Sequence, residues 1–162
     1  MSDFEILQSA YKTEQQVAFL TSIFNAKQAV ENGIETGCLE VREPTITNMF
    51  APGIYLRQME ATKGTIVVSH MHRTEHFLVF LAGSLKSISE NGIEVIKAPR
   101  VVRTMPGTKR VVEFLEDSIC FTIHATEKTD VDEIGKEILV EDQAIGEYLK
   151  AIKSEDSVCL GE

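Results

Sequence analysis

The sequence lacks the features that mark membrane, secreted and zinc-finger proteins. Its three cysteines, Cys38, Cys120 and Cys159, are widely spaced and form no Cys-x-x-Cys pair, so neither a disulfide framework nor a thiolate zinc site is indicated. No apolar run approaches the roughly 18 residues that cross a bilayer, and the N-terminus lacks the pattern of a secretory signal. These absences predict a cytoplasmic protein with reduced thiols and no membrane partner.

Basic residues are also scarce. The 162-residue chain has 16 lysines and arginines against 25 aspartates and glutamates, which gives a formal charge of −9. Much of the excess lies in residues 126–162, with 4 basic and 11 acidic groups. Because the chain has no basic stripe, phosphate backbones would repel it, and we expect no nucleic-acid partner.

The remaining composition is that of an ordinary globular protein, with 43% hydrophobic and 25% charged residues, and it predicts a single domain over residues 1–162. Residues 1–44 are expected to form an N-terminal helical extension. Thr13 and Gln16 make a capping box, apolar residues then recur at spacings of three and four up to Val30, and Asn32-Gly33 ends the helix.

After Pro44 the sequence changes to short runs rich in β-branched and aromatic residues, separated by turn residues. This texture predicts a mainly β barrel or sandwich over residues 45–126. The predicted strands are Ile54–Glu60, Thr65–Met71, His76–Leu81, Ser84–Ser89, Ile93–Lys97, Arg100–Thr104, Arg110–Phe114 and Ser118–His124. Asn91-Gly92 predicts a hairpin with a type I′ turn, because both residues tolerate positive φ.

Helical signals return near the C-terminus. Thr129 and Asp130 are start signals, Ile134 and Ile138 share one helical face, and a second helix is expected around Ala144–Ile152. Residues 127–162 are therefore predicted to hold C-terminal helices and an acidic tail.

Three of the four histidines fall within seven residues. On a strand, His70 and His72 project from the same face, and a bend at Arg73-Thr74-Glu75 would bring His76 in from the next strand. Three imidazoles suit one divalent transition metal, such as Fe, Mn, Ni or Zn, and leave positions open for water or substrate. The alternative is that these histidines are solvated residues on the polar face of a hairpin.

The spacing of these residues resembles a known family. Gly64-x5-His70-x-His72-x3-His76-x6-Gly83 resembles the first cupin motif, with His76 at the position of the motif's glutamate. Pro106-Gly107-Thr108-Lys109-Arg110 resembles the second motif, with Arg110 at the position of its histidine. The resemblance implies a double-stranded β-helix, or jelly-roll barrel, with a metal at one mouth. Cupins include dioxygenases, isomerases, epimerases, lyases and proteins that only bind ligands.

Residues 50–140 are also similar to small cupin-like proteins frequently encoded by bacteriophages, which would place the chain in a host cytoplasm. The similarity includes Phe50–Arg57, His70–Phe77, Pro106–Arg110 and Thr122–Thr126. Because the motif's glutamate and second histidine are absent, two ligand sets remain open: the three histidines, which we favour, or two histidines with Glu75. Cupin-like barrels often pair, so the resemblance also implies a homodimer.

Four further residues are candidates for lining the site. Tyr55 and Arg57 alternate on one strand, so both can face the barrel mouth, and an arginine there would bind a carboxylate or phosphate. Arg110, at a ligand position, would anchor an anion. If Glu116-Asp117 forms a tight hairpin, His124 lies on the face away from Arg110; an irregular turn would reverse this. His124 is therefore open as a ligand, a general acid or base, or a surface residue.

Together these features predict a metal-dependent enzyme of the dioxygenase, isomerase or lyase type that acts on a small anionic or polar molecule. His70, His72 and His76 would hold the metal, Tyr55 or His124 would move a proton, and Arg57 or Arg110 would orient the anion. One alternative is a binding or interaction module without turnover. Another is a metal-free sugar epimerase or isomerase, in which histidine and tyrosine exchange protons with the substrate.

Overall fold

The computed structural model describes residues 42–158, with side chains up to residue 152, and isolated positions 15, 18, 19, 21, 28 and 32. These six positions have helical backbone. The rest of the predicted N-terminal helix, with its Thr13 and Gln16 capping box, lies outside the described residues, as do Cys38 and Cys159.

Within the described residues the chain forms a succession of short strands followed by two helices. The strands are β1 (Thr45–Ala51), β2 (Ile54–Ala61), β3 (Ile66–Val68), β4 (Met71–His72), β5 (His76–Ala82), β6 (Ser84–Ser89), β7 (Gly92–Lys97), β8 (Arg100–Thr104), β9 (Val111–Phe114), β10 (Ser118–Ala125) and β11 (Leu139–Val140). The helices are α1 (Val131–Ile138) and α2 (Ile145–Val158), with a 3-10 turn at Asp142–Ala144 between them.

Two antiparallel sheets enclose the core. One has five strands in the order β1-β2-β10-β5-β8, and the other has four in the order β3-β9-β6-β7. Both sheets contribute to the buried core, which is formed by Ala61, Phe80, Leu85, Ile96, Phe114 and Cys120. Strands that are distant in sequence lie side by side, as in a double-stranded β-helix. The predicted jelly-roll fold is confirmed.

The connection from β9 to β10 is not the predicted hairpin. β9 pairs with β3 and β6, whereas β10 pairs with β2 and β5, so Leu115–Asp117 carries the chain from one sheet to the other. Its hydrogen bonds run to neighbouring loops: the Leu115 amide donates to the Ser84 carbonyl, and Asp117 accepts from the Lys63 amide. The strand parity predicted from a tight turn at Glu116-Asp117 is therefore wrong.

Three other details differ from prediction. β1 and β11 were not predicted, and the predicted strand Thr65–Met71 is interrupted at Ser69-His70. Ser69 still bonds to Arg110, the residue next in register after the Val68–Val111 pair: its amide donates to the Arg110 carbonyl at 2.8 Å, and its hydroxyl accepts from the Arg110 amide at 2.8 Å. Beyond the break the chain pairs with β11 instead of β9. The β6–β7 hairpin exists, but Ser89 pairs with Gly92. Positive φ occurs at Gly92 and not at Asn91, so the turn is not type I′.

Both C-terminal helices lie where they were predicted. The Asp130 side chain caps α1 by accepting from the Glu133 amide at 3.0 Å, and Ile134 and Ile138 are buried against Tyr55. α2 packs on Met71, which is fully buried at the start of β4. No helix in the described part of the chain combines the length and apolarity needed to span a bilayer.

Gly83 joins β5 to β6 and leaves no room for a side chain. Its φ is +87°, and a Cβ there would lie 2.5 Å from the Asp117 carbonyl oxygen and closer still to the Ser118 hydroxyl. Gly83→Ala is expected to lower the free energy of unfolding by about 2–5 kcal/mol, because left-handed strain and overpacking add. Urea denaturation with an unchanged m value measures this loss.

Gly92→Ala is the matched control. Gly92 also has positive φ, at +107°, but a Cβ at this position would have no described atom within 4 Å. Its replacement should therefore cost only the conformational strain, about 1–2 kcal/mol. Equal losses for the two variants would show that the contact with the Asp117–Ser118 backbone is unimportant.

Candidate metal centre

Three histidines converge at one end of the barrel. His72 comes from β4, His76 begins β5, and His124 lies near the end of β10. Their candidate ligand nitrogens all lie within 4.8 Å of one another. The ring centroids are 4.3 Å apart for His72 and His76, 4.5 Å for His76 and His124, and 5.2 Å for His72 and His124. We refer to these three residues as the histidine cluster.

The cluster shares two members with the predicted set and differs in the third. His70 is exposed and lines the same cavity but lies outside the cluster, because the strand is broken at Ser69-His70 and the two-residue periodicity does not extend back from His72. His124 is only 2% exposed, so the surface placement that a tight hairpin implied for it is wrong. The change of sheet between β9 and β10 brings its ring to the interior.

Non-local contacts hold the cluster together. β10 lies beside β5, which places His124 next to His76. β4 has only two residues, and β11 secures it through the pairing of Leu139 with His72. The Gly107 amide also donates to the His72 carbonyl at 2.9 Å. Leu139, which follows α1, and Gly107 therefore fix the backbone that carries His72.

Hydrogen bonds leave ligand nitrogens available. Nδ1 of His76 lies 3.3 Å from the Thr74 carbonyl, to which it can donate, and this leaves Nε2 for a ligand bond. Nε2 of His124 lies 2.9 Å from the Thr122 hydroxyl. Nδ1 of His124 is buried and has no hydrogen-bond partner in the described structure. A buried polar atom without a partner costs about 1–3 kcal/mol, so this nitrogen requires an explanation.

Burial keeps the cluster uncharged. Desolvation, followed by the neighbouring imidazoles, lowers the pKa of His72 to about 3. Desolvation and the nearby His76 lower the pKa of His124 to about 4. Burial also lowers the pKa of His76, and Arg110 contributes to the shift. All three rings are therefore neutral at pH 7, which is the form that binds metal ions.

A cavity of about 590 Å³ opens beside the histidine cluster. Its polar wall includes the cluster, three arginines (Arg42, Arg57 and Arg110), Ser69, His70 and three threonines, and the larger part of the remaining wall is apolar. Ile134 and Ile138 of α1 line the side nearest Tyr55, so this helix covers part of the opening. The dimensions fit a small organic ligand.

Tyr55 and Arg57 both line the cavity, as their alternation predicts. The Tyr55 ring stacks on His124 with centroids 5.8 Å apart, and its hydroxyl donates to Asn48 Oδ1 at 2.7 Å. Burial raises the pKa of this phenol, so it stays protonated at neutral pH. Arg57 lies two cross-strand pairs further along β2, opposite Thr122.

Arg110 lines the cavity, whereas Glu75 lies outside it. Arg110 is half-buried, lines the cavity and donates from Nη1 to Thr104 Oγ1 at 3.2 Å. Burial lowers the pKa of its guanidinium. Glu75 is exposed, and its carboxylate pairs with Arg103 on the outside of the barrel. The alternative ligand set of two histidines with Glu75 is therefore wrong.

Sequence analysis did not identify several residues of the cavity wall. Cys120 and Thr122 lie on the same side of β10 as His124, and the two-residue period could have identified them once His124 was placed inside. Burial raises the pKa of Cys120 to about 11, so its thiol stays protonated and unreactive. The contribution of α1 to the wall has no local sequence signal.

No family model and no curated protein matches this chain. Similar solved structures include an uncharacterized conserved protein with a double-stranded β-helix domain from Klebsiella pneumoniae, at 18% identity over 54% of this chain and 76% of that one, with a TM-score of 0.47. Others are a cupin domain from Bordetella pertussis, at 14% identity over 53% and 94% of the chains with a TM-score of 0.43, and KdgF from Halomonas sp., at 12% identity over 59% and 87% with a TM-score of 0.46.

The order and pairing of the chain's own strands define its architecture. Two antiparallel sheets share one core, and the chain repeatedly crosses between them before the two C-terminal helices. The chain has a mainly β, cupin-like double-stranded β-helix fold, with a buried histidine cluster beside α1.

Proposed function

We propose that this chain holds one transition-metal ion on His72, His76 and His124 and acts there on a small anionic or polar molecule. The observation that carries the proposal is the buried Nδ1 of His124, which lacks a partner among the described residues, on a ring that offers a candidate ligand nitrogen within 4.8 Å of those of His72 and His76. A metal ion would satisfy this nitrogen. The same cavity offers guanidinium groups for an anion, among them those of Arg57 and Arg110.

The donor set suits a transition metal. Three neutral imidazoles favour Zn, Ni or Fe over the oxygen-seeking ions Mg and Ca, and Mn is also compatible. With metal–nitrogen bonds of about 2.1 Å, ligands of a tetrahedral site lie about 3.4 Å apart, so nitrogen separations of up to 4.8 Å would have to shorten by up to about 1.4 Å. Such an ion, when bound, would act as a Lewis acid.

The chain's own residues would position the ligand and handle protons. Arg57 and Arg110 would bind its anionic group, since both line the cavity beside the cluster. The protonated hydroxyl of Tyr55 would donate a proton or hydrogen bond, after release from Asn48. Ile134 and Ile138 would exclude water from the side covered by α1.

Elemental analysis tests the metal site before any substrate is known. We expect protein purified without a histidine tag to contain about one equivalent of a transition metal per chain. Protein dialysed against a strong chelator, then into metal-free buffer, provides the background. Metal at that background level, both as purified and after incubation with Zn²⁺, Ni²⁺, Mn²⁺ or Fe²⁺, would contradict the proposal.

A binding module without turnover is the second candidate. Among the described cavity residues the only carboxylate belongs to Glu43, which is exposed, so few groups can act as a base. Under this alternative the protein would retain metal and bind ligands but convert none of them.

A metal-free epimerase or isomerase is the third candidate. The stacking of Tyr55 on His124 favours it, because those residue types exchange protons in such enzymes. Full activity after complete removal of metal would support this candidate over the first.

A further inference from the structure

Arg57 has an unusual environment for a charged residue. It lies on β2, directly opposite Thr122, which in turn faces Leu78 of β5. Its side chain is half-buried and lines the cavity. Among residues 42–158, no hydrogen bond or ion pair involves its guanidinium. A cation in a largely apolar cavity is stabilised when an anion joins it, so Arg57 requires an acidic ligand group.

Arg110 is less available for this role. Its guanidinium already donates to Thr104, and Glu90 and Glu94 act on it electrostatically. Arg57 acts on Tyr55, Cys120 and His124, which all face the cavity. Arg42, the third arginine of the cavity wall, donates to the Lys63 carbonyl at 2.7 Å. Arg57 is therefore the cavity arginine whose donors are not engaged.

Apart from Tyr55 and Thr122, the walls next to Arg57 are largely apolar. Met59 follows it on β2, Leu78 lies across Thr122 on β5, and Leu85 and Phe114 line the cavity from the opposite sheet. A ligand rich in hydroxyl groups would leave many of them without partners against these walls. An aliphatic body would instead gain about fourfold in affinity for each methylene buried.

We propose that the cavity binds an amphiphilic organic acid, with its carboxylate on Arg57 and an aliphatic body along Met59, Leu78, Leu85 and Phe114. This inference rests on the proposed function only in placing the ligand in the same cavity. The proposal excludes sugar acids as the preferred class of ligand. Their carboxylate could pair with Arg57, but their hydroxyl groups do not suit the apolar walls.

Hexanoate and gluconate provide a matched test. Both are six-carbon monocarboxylates, and they differ in the five hydroxyl groups of gluconate. We expect isothermal titration calorimetry on the full chain to show hexanoate binding at least ten times more tightly than gluconate and than 1-hexanol, which lacks the charge. From butanoate to hexanoate the affinity should rise about fourfold per methylene.

Variants test the carboxylate anchor. Arg57→Gln should weaken hexanoate binding at least tenfold and leave 1-hexanol unchanged, whereas Arg57→Lys should restore part of the loss. Arg103→Gln is the control, because Arg103 is exposed and pairs with Glu75 outside the barrel. If Arg57→Gln does not fold, the comparison of the three ligands on the unsubstituted chain still decides the matter.

Titrations of chelated and zinc-loaded protein separate this inference from the metal site. Hexanoate binding that depends on Arg57 without metal supports the inference even if no metal site exists. Three results would each overturn the inference, whatever the metal content. Gluconate could bind as tightly as hexanoate, the unsubstituted chain and Arg57→Gln could bind hexanoate equally well, or hexanoate could fail to bind.

Discussion

Replacing His124 with alanine is expected to weaken zinc binding at least about 100-fold, since loss of a direct ligand should cost no less than the loss of a group that only orients one. His124 is almost completely buried, and its Nδ1 has no partner among the described residues. Without this ring, His72 and His76 remain as a two-nitrogen site. Competition with a chromophoric chelator measures the affinity.

His70→Ala is the matched control, and it separates the structural cluster from the predicted one. His70 is exposed and lies outside the cluster, so its removal should change the zinc affinity by less than about threefold. If His70→Ala instead lost zinc and His124→Ala retained it, the ligands would be His70, His72 and His76. Circular dichroism of both variants would verify that the fold is intact.

The metal-free protein is expected to lose stability as the pH falls from about 6.5 towards 3. His72 and His124 have pKa values of about 3 and about 4 in the folded state, well below their ordinary 6.5. The unfolded chain therefore binds more protons across this window, and protonation favours unfolding. Each histidine contributes at most about 1.4 kcal/mol per pH unit. Urea denaturation in chelator at several pH values measures the slope.

His124→Gln is the matched variant, because glutamine does not titrate and can keep a polar group near Thr122. Between pH 6.5 and 4.5 the slope for this variant should be smaller than that of the unsubstituted chain. Carboxylates contribute equally to both proteins, so the difference isolates the histidine. Identical slopes would show that His124 is protonated as easily in the folded state as in the unfolded state.

Local sequence patterns predicted most of the fold. Alternating β-branched and aromatic runs between turn residues located eight of the strands, and Asp130 with Ile134 and Ile138 located α1. These features depend on neighbouring residues alone. The hairpin between β6 and β7 was also predicted, although Gly92 and not Asn91 takes the positive φ. Because glycine can adopt positive φ at more than one position in a hairpin, the Asn91-Gly92 dipeptide predicts a hairpin better than it predicts the type of turn.

The position of His124 could not be predicted in the same way. Which face of a strand a residue occupies depends on the strand's partner, and the natural assumption is that consecutive strands pair. β9 and β10 do not pair, so the count across a tight turn at Glu116-Asp117, which would put His124 outside, does not apply. Conversely, His70 was placed with His72 because the strand was assumed to be continuous, whereas β3 pairs with β9 and β4 pairs with β11. Both differences arise from contacts between residues distant in sequence or from a change of sheet.

The spacing of His72 and His76 carried more information than either residue alone. A bend of three residues between two strands allows their rings to approach, and the centroids are 4.3 Å apart. The third histidine is supplied by tertiary structure. Sequence reasoning therefore identified two of the residues in the cluster, while the fold determined the third.

Anomalous diffraction from a crystal of the zinc-loaded protein, recorded on both sides of the zinc edge, tests the central claim most directly. We expect one strong peak per chain, within about 2.1 Å of nitrogens from His72, His76 and His124. A peak bonded to His70, or the absence of any peak between these three rings in fully loaded protein, would contradict the assignment.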